Sequence, residues 1–410
     1  MKSMQAIILA AGEGSRMRPL TASRPKVMLP VGGAPLLEEL ILRCRDAGIN
    51  RFVFVVGYRR DVITSYFRDG SDFDVEISYA VQEKQLGTGH ALMVARDLSD
   101  DRFFVINGDV LPDVEALRHM MSMEDLSVAT HRVVEASRYG VFLIRDGLVE
   151  GVVEKSPSPP SDMANAGIYL LDRDIFELME EVPVSIRGEY ELTDGINALA
   201  AAGRRIWAVE LSEWVEVGAP WDILTASNAV LSRKSPVVDG DVESGATLKG
   251  NVSIGSGTLV RNGAYIEGPV WIGKNCDIGP NCYIRAGSCI GNSVRVGNAV
   301  EIKNSTIMDN TKIGHLSYVG DSVIGYGCNL GAGTIVSNLR HDNRNIRSYV
   351  KGVLVDTGRR KLGVIMGDNV KTGVHTCIYP GTVIEPGYLS RPGEALRGYV
   401  KSMLQSASGS

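Results

Sequence analysis

VSIGSGTLVRNGAYIEGPVWIGKNCDIGPNCYIRAGSCIGNSVRVGNAVEI, residues 252–302, returns to an aliphatic side chain every six residues, at Ile254, Val260, Ile266, Ile272, Ile278, Ile284, Ile290, Val296 and Ile302. Followed outward, the period begins at Val242 and Leu248 and reaches Met308, twelve positions without a miss. This is the hexapeptide repeat of a parallel β-helix, in which each repeat supplies one short wall strand and stacked coils bury a continuous aliphatic ladder. Three positions beyond the aliphatic residues stand Gly245, Asn251, Gly257, Gly263, Pro269, Asn275, Asn281 and Gly287, mostly residues that tolerate a positive φ at a corner. One position further, Cys276 and Cys282 read as fillers of a cramped interior and not as ligands.

The repeat accounts for an uneven composition. The chain has 410 residues and 46 glycines, 18 of them in residues 1–235 and 28 in residues 236–410. Glycine at that density, without a proline excess and with only 6% aromatics, points to many tight corners, not to collagen or a disordered linker. Two domains are therefore expected, 1–235 and 236–404, with a frayed tail at 405–410. The net charge of −5 gives no global sign of a nucleic-acid or membrane surface, so an anionic ligand must be met locally. Six cysteines form no CxxC pair, and the apolar run Ala6–Ala11 is too short for a signal sequence or a membrane span. The expectation is a cytoplasmic protein with reduced thiols.

Over residues 1–235 strand-like runs at Ala6–Leu9, Phe52–Val56, Glu76–Tyr79, Phe103–Ile106 and Ser127–Thr130 alternate with helical stretches at Leu36–Ala47, Val62–Phe67, His90–Arg96 and Val114–Met121. Alternation of this kind predicts an α/β, Rossmann-like, mostly parallel sheet covered on both faces, with ligands at the carboxyl ends of the strands. After the first strand comes Leu9-Ala10-Ala11-Gly12-Glu13-Gly14-Ser15-Arg16-Met17-Arg18-Pro19, with Lys26 following. A dinucleotide fingerprint needs glycine where Met17 stands, and a Walker loop needs Gly-Lys-Ser/Thr, so neither fits. What remains is a small-residue loop whose N–H groups can wrap phosphates, with Arg16 and Lys26 to neutralise them.

The segment resembles the LAAGxGxRMxP…KxxLP signature of sugar-1-phosphate nucleotidylyltransferases. Gln82-Glu83-Lys84-Gln85-Leu86-Gly87-Thr88-Gly89-His90-Ala91 looks like that family's base-recognition segment, and Asn107-Gly108-Asp109 like its metal-binding strand end. The resemblance implies that Leu9, Ala11, Gly12, Gly14, Arg16, Lys26, Gln82, Gly87, Thr88 and Asp109 bind nucleotide. Gln82 reads the pyrimidine edge, and Arg16 and Lys26 act in catalysis. It implies Mg²⁺ on Asp109 and Glu216, although relatives usually place Asp or Asn where Glu216 stands. Gly140, Glu154 and Asn165 become sugar-phosphate contacts, with Glu189–Asp194 as a wall of the sugar site. Mg²⁺ held by carboxylates and phosphate oxygens suits an in-line displacement in which the protein positions groups and neutralises charge.

The stretches Val296–Lys303, Gly314–Asp321 and Asn329–Asn338 resemble the acetyltransferase half of the bifunctional N-acetylglucosamine-1-phosphate uridylyltransferase and glucosamine-1-phosphate N-acetyltransferase family, in its archaeal form. That likeness implies a left-handed helix with three repeats per coil, assembled as a homotrimer. Arg285 and Lys303, 18 residues apart, then stack on neighbouring coils as a clamp for a phosphate. The family pattern makes His315 the base, with sugar-phosphate contacts at Arg285, Lys303 and Tyr318. Asn329 and Asn338 hold the amino sugar, and the Ala332 region meets acetyl-CoA. A neutral imidazole is suited to take the proton that the amino group loses as it attacks a thioester. The six-residue phase slips near His315, and an insertion between Asn338 and Gly363 carries seven cations (Arg340, Arg344, Arg347, Lys351, Arg359, Arg360, Lys361) against Asp342 and Asp356. That loop is expected to reach across a trimer interface to phosphates of CoA or sugar.

The reading is a bifunctional enzyme that acetylates glucosamine-1-phosphate and couples N-acetylglucosamine-1-phosphate, or another hexose-1-phosphate, to UTP or dTTP. No nucleic-acid or membrane partner is expected. Two alternatives stay open: a monofunctional nucleotidylyltransferase with a structural β-helix, and a non-catalytic regulatory subunit. Intact Arg16, Lys26 and Asp109 argue against the second of these, and intact Arg285, Lys303, His315, Tyr318 and Asn338 against the first.

Overall fold

A computed structural model describes residues 3–185 and 187–402, so the tail expected at 405–410 lies outside the described residues. Packing separates the chain into two compact units: the stretch ending at Glu13 goes with Leu36–Glu216, and Gly14–Pro35 goes with the chain from Val217 onward.

The first unit is built on strands β1 (Met4–Ala10), β2 (Ile49–Val56), β3 (Glu76–Val81), β4 (Arg102–Asn107), β5 (Val110–Leu111), β6 (Leu126–Arg132), β7 (Gly140–Arg145), β8 (Leu148–Glu154), β9 (Met163–Asp172), β10 (Ile206–Glu210) and β11 (Val215–Glu216). Its helices are α1 (Leu36–Ala47), α2 (Arg60–Phe67), α3 (Thr88–Met93), α4 (Val114–Ser122), α5 (Asp174–Glu181) and α6 (Leu192–Ala201). Helix α1 has the predicted bounds because Leu36, Leu37, Leu40, Ile41 and Cys44 recur at helical spacing and all are buried. The main sheet runs β3-β2-β1-β4-β9-β6-β10-β8-β7. Strands β1 to β4 pair in parallel, as do β6 and β10, whereas β9 runs antiparallel to β4 and β6, and β8 antiparallel to β7 and β10. The sheet is therefore mixed and not mostly parallel. Strands β7 and β8 follow without a helix between them, joined through Asp146 and Gly147 at φ 51° and 79°, and a two-residue turn of that conformation closes an antiparallel hairpin.

In the second unit the hexapeptide region forms three parallel sheets of short strands, one along each face of a β-helix. Rungs stack at 18 residues, Val260 on Ile278, Ile266 on Ile284 and Ile272 on Ile290. The next coil is one residue shorter: Ile290 pairs Ile307, Val296 pairs Ile313 and Ile302 pairs Val319. Met308 is buried but the rung is Ile307, so the slip falls between Ile302 and Ile307, before His315, and recurs between Val319 and Ile324. The reason lies at the corners, where Gly287, Asn304 and Asp321 take positive φ (78°, 45° and 50°) at 17-residue spacing. Five of the eight expected corner residues, Gly257, Gly263, Asn275, Asn281 and Gly287, have positive φ. Cys276 and Cys282 are each 3% exposed among the aliphatic rungs, and burial pushes the Cys282 thiol up to about 12, which suits packing and not ligation.

The insertion after Asn338 carries an antiparallel hairpin, Arg347–Val350 with Val353–Asp356. Helix α7 (Asp222–Leu231) and the segment Gly14–Pro35 also belong to this unit. Arg24 grips Asp368 through two hydrogen bonds of 3.1 and 2.9 Å, Ser23 Oγ donates to the same carboxylate at 2.7 Å, and the guanidinium lies 3.9 Å from the centroid of Tyr326.

Candidate active site

Backbone contacts draw the carboxyl ends of β1 to β4 together. Gly108 N donates to Leu9 O at 3.0 Å, Tyr58 N to Ala11 O at 3.0 Å, and Gln82 N to Val56 O at 2.8 Å. Gln85 Nε2 donates to Ala11 O at 3.1 Å. At Gly57 a Cβ would stand 2.8 Å from Ala11 O, so the strand ends tolerate no side chain there. Leu9, Ala11, Gly12, Gln82 and Asp109 thus gather at one sheet edge, where open α/β sheets bind their ligands. Gly87 has φ 104° and a Cβ on it would meet Tyr190 O at 2.5 Å, so only glycine fits. Thr88 Oγ1 accepts from Leu192 N at 3.0 Å, which ties the loop to the start of α6.

Asp109 and Glu216, far apart in sequence, become neighbours because β11 pairs antiparallel with β5 and sets Glu216 opposite Val110. Two carboxylates fit a hard cation that completes its shell with phosphate and water. Among the described residues no three His, Cys, Asp or Glu side chains converge, so the protein's share of such a shell is small.

Gly140 lies opposite Glu154 in the β7–β8 pair, and a Cβ on it would stand 2.7 Å from the Glu154 carboxylate. Asn165 donates to Tyr169 Oη at 2.7 Å and accepts from Gly167 N at 3.0 Å. Glu154, Lys155, Arg187, Glu191 and Asp194 line a cavity of about 820 Å³. Arg187 bridges Glu191 at 2.8 Å and Glu154 at 3.4 Å. Burial raises the carboxyls of Glu191 and Asp194 above their ordinary range, and the charge on Glu154 adds to the effect.

In the second unit Gly14 (φ 73°) abuts Lys26, whose Cβ would lie 2.5 Å from an added Cβ, and Thr21 Oγ1 donates to Gly14 O at 3.2 Å. Arg16 is exposed on the turn Ser15–Met17 and Lys26 is half-buried on the turn Lys26–Met28.

On the β-helix the structure collects Arg285, Lys303, Tyr318 and Asn338 on one face. Ile284 pairs Ile302 and Glu301 pairs Tyr318, which stacks Arg285 and Lys303 on neighbouring coils as the spacing predicted. A buried residue that the sequence reading left without a role, Asp321, organises the group. It is 4% exposed. Asn338 Nδ2 donates to it at 2.6 Å and to Tyr318 Oη at 3.2 Å, Asn304 Nδ2 donates to it at 2.7 Å, and Lys303 Nζ is 3.5 Å away. Arg285 donates to Glu301 at 2.9 Å, which raises its pKa further. Both cations therefore carry built-in carboxylates, a pattern legible afterwards in the Arg285–Glu301 and Lys303–Asp321 spacings.

His315, Asn329 and Ala332 belong to the adjoining face and corner. His315 is exposed at the end of strand Lys312–His315, its carbonyl accepting from Ser317 Oγ at 2.8 Å and Gly333 N at 3.2 Å. Among the described residues no hydrogen bond joins His315 to the Arg285–Asn338 group. Of the basic insertion, Arg359 turns inward. Its Nη1 donates to Thr225 Oγ1 on α7 at 3.0 Å, its buried Nε has no partner, and burial lowers its pKa. That residue packs within its own chain and does not reach outward.

The family profile described as nucleotidyl transferase matches residues 5–233, and that described as GMPPB C-terminal domain matches residues 266–389. "Bifunctional protein GlmU" of Methanococcus maripaludis (strain C7) is 40% identical over 385 residues, 93% of this chain and 92% of the relative. The "bifunctional sugar-1-phosphate nucleotidylyltransferase/acetyltransferase" of Sulfurisphaera tokodaii is 37% identical over 390 residues, 93% of this chain and 94% of the relative. A solved UDP-glucose pyrophosphorylase in complex with UDP-glucose is 27% identical, with a TM-score of 0.51 over 56% of this chain and 99% of its own. With a small-residue loop at the carboxyl ends of its sheet strands, a β-helix bearing an ordered cation and amide cluster, and likeness along nearly its whole length, the chain belongs to the GlmU-type bifunctional sugar-1-phosphate nucleotidylyltransferase/acetyltransferases.

Proposed function

We propose that this enzyme makes UDP-N-acetylglucosamine in the cytoplasm, first acetylating glucosamine-1-phosphate with acetyl-CoA and then transferring a uridylyl group from UTP to N-acetylglucosamine-1-phosphate, with release of pyrophosphate. The observation that carries the bifunctional reading is the network around Asp321, which orders Lys303, Tyr318 and Asn338 together. A β-helix that served only to oligomerise would need no such buried polar network.

In nucleotidyl transfer a phosphate oxygen of the sugar attacks the α-phosphorus in line, so positioning and charge neutralisation dominate. The backbone of Ala11–Gly14 wraps the triphosphate, Arg16 and Lys26 oppose its charge, and Gln82, Gly87 and Thr88 hold the base. Gly140, Glu154 and Asn165 face the sugar. Asp109 and Glu216 hold Mg²⁺, which when bound offsets the negative charge that develops on the phosphates. In acetyl transfer Arg285, Lys303 and Tyr318 bind the sugar phosphate, Asn329 and Asn338 fix the amino sugar, and acetyl-CoA lies along the Ala332 corner. His315 takes a proton as the C2 amino nitrogen attacks the thioester carbonyl, and the C–S bond then breaks, releasing CoA thiolate, which takes up a proton to become the free thiol. By resemblance to the family we assign a left-handed helix and a homotrimer, and because His315 lies on a different face from the phosphate-binding group, a neighbouring copy completes each site. The functional division follows residues 1–235 and 236–404, and the exposed cations of the basic insertion serve CoA or sugar phosphates.

The test follows free thiol with glucosamine-1-phosphate and acetyl-CoA, then pyrophosphate after UTP and Mg²⁺ are added. Both signals are expected. His315→Ala abolishes thiol release and, with N-acetylglucosamine-1-phosphate supplied as acceptor, spares pyrophosphate release, and loss of both would refute the site assignment.

A further inference from the structure

The amide of Gln82 has a fixed polarity. Gln82 is 4% exposed, and its Nε2 stands 3.0 Å from Gly87 O and 2.9 Å from His90 Nδ1. A backbone carbonyl only accepts hydrogen bonds, so the amide edge facing Gly87 O must be the NH₂ group, and a flipped side chain would set two oxygens against each other. With one amide hydrogen on Gly87 O, the other points at His90 Nδ1, which must accept it, and this puts the imidazole proton on Nε2. The two partners are themselves held. Gly87 is confined by its positive φ and the neighbouring Tyr190 carbonyl, Gly89 N donates to Tyr190 O at 2.7 Å, and the His90 ring lies beside that of Tyr190 with centroids 6.4 Å apart. Both amide hydrogens of Gln82 are therefore consumed inside the protein. The group it offers outward is Oε1, an acceptor only.

We propose that His90 is a specificity-determining positioning residue: by locking the Gln82 amide it presents Oε1 to the base and restricts the enzyme to pyrimidines that carry a hydrogen on N3. Uracil and thymine have that donor. Cytosine has a bare N3 lone pair, which Oε1 repels. The substrate class is thus keto-pyrimidine nucleoside triphosphates, UTP and dTTP alike, and the selection against CTP comes from a residue that does not touch the base. The inference rests on the assignment of Gln82 to base reading and extends it to the residue that orients Gln82.

The experiment measures kcat/KM for pyrophosphate release from UTP, dTTP and CTP in His90→Phe, His90→Asn and Gln82→Ala. Phenylalanine keeps the ring and removes the acceptor. Asparagine restores an acceptor close to the position of Nδ1. For His90→Phe the UTP:CTP ratio is expected to fall about ten- to a hundredfold, with most of the loss in the KM for UTP, because the amide keeps only its bond to Gly87 O and pivots about it, so that Oε1 is no longer held against the base. For His90→Asn the ratio is expected to stay within about threefold of the parent. Circular dichroism and a thermal melt of the same preparations, compared with the parent's, report that each variant is folded. If Gln82→Ala changes the ratio and His90→Phe leaves it within about twofold, Gln82 reads the base but His90 does not position it, and the proposal falls. If Gln82→Ala leaves the ratio unchanged, the base-reading assignment itself falls. Should His90→Phe not fold, His90→Leu, which also removes the acceptor at Nδ1, must give the same loss of UTP preference or the positioning role of His90 is refuted.

Discussion

At the scale of single residues, Glu191 and Asp194 carry a testable signature of the cavity they line with Glu154 and Arg187. Both carboxyls are raised, by burial first and by the charge on Glu154 as well. A folded-state pKa above the unfolded one means that the fold favours the protonated form. Their contribution to stability is whole below the ordinary carboxylate range and is lost as pH rises through the folded values. Asp194→Asn removes one of these groups, so its melting temperature is expected to vary less than the parent's from about pH 4 upward. Thermal melts at a series of pH values check this, and parallel curves for the two proteins would refute it. Little of this was readable in advance. The block Glu189–Asp194 marks the wall by resemblance, but the raised carboxyls come first from a burial that only the tertiary packing sets, with a lesser contribution from Glu154 on strand β8.

Among elements, the segment Gly14–Pro35 is tied to the β-helix through the carboxylate of Asp368. Asp368 accepts from Arg24, Ser23 Oγ and Tyr326 N, and the Arg24 and Asp368 side chains are only 14% and 11% exposed. Asp368→Ala leaves a buried guanidinium and a backbone N–H without their partner. The expected cost is about 3–5 kcal/mol, read as a shift of the urea midpoint at unchanged slope. A loss within about 0.5 kcal/mol would show the pair to be replaceable by water. Sequence reading located the loop Gly12–Lys26 and the repeat that contains Asp368, yet nothing in either segment announces their pairing across more than three hundred residues. The same holds for the coil shortened between Ile302 and Ile307. Ile307 and Met308 are both apolar, and only the strand register tells which is the rung.

For the whole molecule, the two chemistries are expected to separate under metal removal. If Asp109 and Glu216 hold Mg²⁺ as proposed, chelation abolishes pyrophosphate release by leaving the triphosphate charge unopposed there, and leaves thiol release intact, because the proposed acetyl transfer uses no metal. Assaying both signals with and without excess chelator checks this, and a parallel loss of thiol release would place a metal in the acetyl-transfer step. Among the described residues no helix is long and apolar enough to cross a membrane. The sequence by itself determined the repeat, most of its corners and five strands of the sheet, because these depend on local φ preference and periodicity, whereas the candidate site residues came mostly from likeness to a family. Tertiary structure alone decided the antiparallel half of the sheet, the meeting of Glu216 with Asp109, the role of Asp321 and the locked amide of Gln82. Each of these depends on hydrogen bonds between segments distant in the chain, whose directions are set by the backbone that carries them and not by the residues' own names.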